Sequence, residues 1–133
     1  MRGMDRDQDE GFTLIEMLVV ITIIAILAAI AIPLFVHHRE RGWEAQMNHA
    51  LKDAATAMEA ATFGQGERYN QITMNEIRAE GFKAADAVTV VIRSANPTGY
   101  CLMATHDSTP LTLYYDVRVG KPNSVNCYSN YTS

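Results

Sequence analysis

The chain has 133 residues, a formal net charge of −4 and 48% hydrophobic residues. That length holds one small globular unit plus a long helix, and the mild acidity gives no basic face for nucleic acid. Two isolated cysteines, Cys101 and Cys127, are a poor start for a metal site, and no phosphate-cradling loop, zinc pattern or Ser/His/Asp set stands out, so nothing positive supports an enzyme.

In chain order, residues 1–10 are polar, with Arg2 and Arg6 set against Asp5, Asp7, Asp9 and Glu10. Residues 12–36 are apolar apart from Thr13, Glu16 and Thr22. As a helix this segment is roughly 37 Å long at ~1.5 Å per residue, enough to cross ~30 Å of hydrocarbon. Glu16 is the one acid in it, and a carboxylate beside hydrocarbon is costly enough to imply a partner. Pro33 lacks an N–H and crowds the preceding turn, so a kink is expected there before the helix resumes. From Trp43, the residues Met47, Ala50, Ala54, Met58 and Ala61 recur every three or four positions, and Leu51 and Ala55 widen the stripe. Glu40, Glu44, Lys52, Asp53 and Glu59 fall on the other side, so this stretch is an amphipathic helix covering a small head. Gly64 and Gly66 are its expected stop.

Thr73 and Glu76 have the spacing of a capping box for a short helix reaching about Glu80, ended by Gly81. Three strand-like runs follow. They are 87–93, then 100–105 after the turn Asn96-Pro97-Thr98-Gly99, then 111–119 after the loop Asp107-Ser108-Thr109-Pro110. Short connections favour an antiparallel meander packed on the helix, an α+β class.

Several features carry a bland and a sharp reading. His37, His38, Arg39 and Arg41 are read as a solvated boundary to the apolar segment, with lipid phosphate the sharper alternative. Adjacent histidines point about 100° apart on a helix, so His37, His38 and His49 do not form a metal set. Tyr100, Tyr114, Tyr115, Tyr128 and Tyr131 are read as half-buried packing residues before an adhesive patch. Asn130-Tyr131-Thr132 matches a glycosylation sequon, a triplet that also arises by chance. An ordinary signal peptide would end at Ala29-Ile30-Ala31, but its leading region would lack positive charge and Glu16 would head its apolar core. A plain membrane anchor explains the length but neither Gly11 nor Glu16.

The string GFTLIEMLVVITIIAILAAIAIPLF, residues 11–35, resembles the processing site and helix of type IV pilins and the related pseudopilins. The resemblance implies that a prepilin peptidase cuts between Gly11 and Phe12 and methylates the new amino terminus at Phe12. It maps the family's assembly acid onto Glu16 and its helix proline onto Pro33. It divides the chain into a leader (1–11), a transmembrane and filament-core helix (12–36), and an amphipathic helix with a globular head (37–133). It also implies a disulfide between Cys101 and Cys127, the pair to be expected of an exported head. Two departures stand out: the leader is acidic rather than basic, and residues 25–32 contain no glycine.

The function implied is a structural subunit of a pilus-like filament, without cofactor or metal. Its partners would be the peptidase, other pilin subunits, an assembly ATPase, membrane platform proteins and the membrane itself. A DNA or surface ligand has no residue pattern behind it. The location implied is the cytoplasmic membrane as a single-pass precursor, then a surface filament. The alternatives are a minor pilin or pseudopilin of a secretion or DNA-uptake system and, in another class, a membrane-anchored binding module that never polymerises.

Overall fold

A computed structural model describes residues 11–64, 66 and 68–132, so the polar segment 1–10 lies outside the described residues. They fall into two compact units whose boundary in sequence lies between His38 and Arg39. The first helix, α1 (Leu14–Gly64), carries Pro33 within it and is assigned as helix throughout. In the first unit every described side chain is exposed except Ala28, which is half-buried.

The second unit builds a core on the apolar stripe of α1. Met47, Leu51, Ala54 and Met58 are fully buried, with Ala50, Ala55, Ala57 and Ala61 close behind. The small alanines let the sheet approach the helix, while the larger residues fill the space between. Helix α2 (Met74–Ala79) adds Ile77 to this core. Its capping box forms as expected: the Thr73 side chain accepts from the Glu76 N–H, and the Glu76 carboxylate accepts from the Thr73 N–H at 2.6 Å. A 3-10 turn at Tyr69–Gln71 precedes it.

The sheet is four-stranded and antiparallel in the order β1-β2-β3-β4, with β1 Val88–Asn96, β2 Gly99–His106, β3 Thr109–Asp116 and β4 Lys121–Asn123. Side chains alternate between faces with the strand period of two. Val88 and Val90 of β1, Tyr100, Leu102 and Ala104 of β2 and Leu113 of β3 join the helix core, while Cys101 lies in a separate buried cluster with Cys127 and Tyr131. Buried His106 is held on both ring nitrogens. Nδ1 accepts from the Ser108 N–H at 3.0 Å, which leaves Nε2 to donate to Gln46 Oε1 at 3.2 Å.

Three details differ from the sequence expectation. β1 runs on to Asn96 through a register shift between Ile92 and Ser94, so Arg93 is accommodated as a bulge rather than as the strand's end. β3 spans Thr109–Asp116, not 111–119. The Asp116 carbonyl accepts from the N–H groups of Val119 and Gly120, and its carboxylate from the Arg118 N–H. These bonds turn the chain despite the strand-forming Val117 and Val119, and Gly120 supplies the positive φ of 72° that the turn needs. The turn delivers β4, an edge strand of three residues that no periodicity announces.

Candidate functional site

The amino-terminal end of α1 is built from its first residues upward. Thr13 precedes the helix, and its hydroxyl accepts from the Glu16 N–H at 3.2 Å. The Glu16 carboxylate reaches back through Oε2 to accept from the Thr13 N–H at 2.8 Å. This is a reciprocal capping box, Thr-x-x-Glu, and it satisfies two donors that a helix start leaves unpaired. In the sequence the charge marks Glu16, and the Thr-x-x-Glu spacing is the signal that adds Thr13 to the site. Glu16 Oε1 has no partner among the described residues.

Around this box the surface is apolar. Phe12, Leu14, Ile15 and Met17 are all exposed, and so are the large apolar residues from Leu18 to Val36. Thr22 donates its hydroxyl to the Leu18 carbonyl at 2.7 Å and so adds no unsatisfied polar group. Pro33 has no N–H to give the Ala29 carbonyl, which loses its helical bond. Among the described residues this is the one helix long and apolar enough to cross a membrane. Gly11 sits in open space: a Cβ there would meet nothing within 4 Å. Nothing within the described fold therefore requires glycine at that position.

The other sequence candidates lie in the head. Cys101 and Cys127 form a disulfide with Cα atoms 5.6 Å apart, tying the carboxy-terminal segment to β2. Asp116 completes the tie, accepting from Tyr131 Oη at 2.5 Å and from Asn130 Nδ2 at 2.8 Å. Arg118 Nε also donates to Tyr131 Oη at 2.9 Å. Burial pushes the Asp116 carboxyl up, but the bonds from Tyr131, Arg118 and Asn130 outweigh it and hold the group below its ordinary range. Tyr131 lies on Gly99, where a Cβ would stand 2.2 Å from the ring. The sequon residue Asn130 thus has its amide engaged in the fold. Tyr100 and Tyr131 are buried as packing residues, whereas Tyr128 is exposed beneath the Arg93 guanidinium at 4.7 Å.

Residues 6–32 match the family described as the prokaryotic N-terminal methylation motif. Over 100 residues, 73% of this chain and 73% of the relative, the chain is 39% identical to the type IV wide pilus major component PilA4 of Thermus thermophilus. It is 41% identical over 70 residues to the type IV major pilin protein PilA of Myxococcus xanthus, covering 53% of this chain and 31% of that one. It is 43% identical over 54 residues to the type IV major alpha-pilin of Moraxella bovis, covering 41% and 34%. The match thus spans about a third of the length of the last two relatives.

Proposed function

We propose, from the premise that this chain belongs to the type IV pilin family, that it is a structural filament subunit made ready by cleavage between Gly11 and Phe12 and methylation of the new Phe12 amine. One observation carries the reading: the large apolar residues from Phe12 to Val36 are exposed, though they would be costly to leave in water. A membrane covers them first. A bundle of like helices covers them after assembly, so the surface stays dry throughout.

Glu16 gives this transfer its direction. One carboxylate oxygen is engaged by its own helix start, and the other is left to accept from the Phe12 amine of a neighbouring subunit. Pairing offsets the desolvation of both charges and sets the axial step between subunits. Pro33 leaves the Ala29 carbonyl open, a place where the core helix adjusts to its neighbours. Gly11, which no contact of the fold demands, answers to the peptidase instead. Prepilin peptidase, an assembly ATPase and membrane platform proteins complete the reading, with a precursor in the cytoplasmic membrane and a product on the cell surface.

The test is mass spectrometry of filaments sheared from cells. The expected subunit starts at methylated Phe12. A mature terminus at Ile32, or absence of the chain from sheared filaments, overturns the proposal.

A further inference from the structure

The far end of α1 holds an acid that no basic side chain among the described residues neutralises. Tyr100 Oη donates to Glu59 Oε1 at 3.0 Å, and Tyr69 Oη donates to Oε2 at 2.9 Å. Both donors are neutral phenols. Burial, reinforced by Glu59 itself, pushes the Tyr100 hydroxyl far above its ordinary range and keeps it a donor. No Lys, Arg or His among the described residues pairs with this carboxylate. The last turn of the helix has no basic side chain to set against the negative end of the helix dipole.

Phe63 stands one turn beyond Glu59 on the same helix face and is 85% exposed. Together with Thr62, Tyr69, Pro97 and Thr98 these two residues line a recess of about 360 Å³. A fixed carboxylate beside an open aromatic ring, at a helix carboxy terminus, suits a cation on an apolar stem. A bare metal ion fits poorly, because one carboxylate already accepting two hydrogen bonds supplies too few oxygen ligands.

We propose that this recess seats a lysine side chain from the head of a second subunit. The inference rests on the filament reading, in which identical heads lie side by side. Lys52, Lys83 and Lys121 are exposed and make no ion pair among the described residues. Several head arginines are already engaged: Arg39, Arg93 and Arg118 over aromatic rings, and Arg78 with Asn75. The head therefore carries both halves of the contact on different parts of its surface. Such a contact is heterologous, the kind from which an open helical polymer is built. The ammonium meets Glu59 while the lysine stem covers Phe63.

The experiment is zero-length carbodiimide cross-linking of intact sheared filaments, with the linked peptides read by mass spectrometry. The expected product is a subunit dimer joined by an isopeptide between Glu59 and a head lysine. Glu59→Gln removes that product while the acid's neighbours still fold around the isosteric amide. Phe63→Ala lowers its yield by about threefold, the loss expected for an exposed cation–π contact. Filaments that form normally yet give no intersubunit Glu59 link overturn this contact and leave the subunit reading intact. Absence of the wild-type chain from filaments overturns the subunit reading itself.

Discussion

The molecule uses one local device twice, in opposite settings. Thr13–Glu16 and Thr73–Glu76 are the same reciprocal capping box, with the carboxylate accepting from the threonine N–H at 2.8 and 2.6 Å. The second opens a helix of six residues whose next side chain, Ile77, is buried in the head core. The first opens a helix of 51 residues whose neighbours Ile15 and Met17 are exposed. Hydrogen-bond geometry alone does not tell these acids apart. Their surroundings do: Glu76 belongs to a packed head, and Glu16 to an apolar surface that the described residues leave exposed. Changes in the head should therefore move stability, and changes at the amino-terminal end should move assembly.

The largest effect should come from Glu16, where charge and cap separate cleanly. Glutamine keeps a capping box, while leucine abolishes it. We expect both Glu16→Gln and Glu16→Leu to be cut after Gly11, to accumulate in the membrane, and to cut the filament yield by about tenfold or more, as for a lost buried charge pair. Glu76→Gln should leave the yield unchanged. Quantitative immunoblots of sheared filaments and membranes from cells with the variant as sole copy decide it. Normal assembly of Glu16→Gln with failure of Glu16→Leu would make the acid a cap and nothing more, and would erase the contrast between the two boxes.

Next in size is the head's own closure. Cys101→Ser should cost about 3 kcal/mol and lower the melting temperature of the detergent-solubilised chain by roughly 10–20 °C. Gly99→Ala should cost ~1–3 kcal/mol, because the Tyr131 ring must move out of the way of the new Cβ. Neither should change membrane insertion, measured by carbonate extraction. Loss of insertion in either variant would show that head and anchor are not separable in this way.

The smallest effect is one that acid removes. The folded Asp116 carboxyl lies below its ordinary value, so its contribution is complete above about pH 4, the unfolded value, and fades as pH falls through the folded one. Melting curves of wild type and Asp116→Asn should therefore differ at neutral pH and draw together as the pH falls through the lowered value of the folded carboxyl. A gap of constant size at every pH would mean that the tie does not depend on the carboxylate's charge.

Much of the head was legible because its signals are local and periodic. The stripe from Trp43 to Ala61 named the buried face of α1, and Pro97-Thr98 named the first hairpin turn. What was missed depends on bonds between distant parts or on side chains capturing backbone. Val117 and Val119 read as strand until the Asp116 oxygens turn the chain. Lys121-Pro122-Asn123 is too short and polar to show a period, yet it pairs along β3. The hold of Tyr69 and Tyr100 on Glu59 crosses 10 and 41 positions, so Glu59 read as one more solvated acid. At the other end, the charge of Glu16 was conspicuous enough to hide its cap.

The seat of Tyr131 on Gly99 also sets an order in time. The sheet strands are complete by Asn123, but the bonds that close the head wait for Cys127, Asn130 and Tyr131. While a ribosome or a translocation channel still holds residue 131, the Asp116 carboxylate lacks its two side-chain donors from that segment, and position 99 stays uncovered. A chain held before that residue therefore differs chemically, at the same place on its surface, from one in which Tyr131 has seated. The seating of Tyr131 on Gly99 is thereby a late, local mark of a closed head.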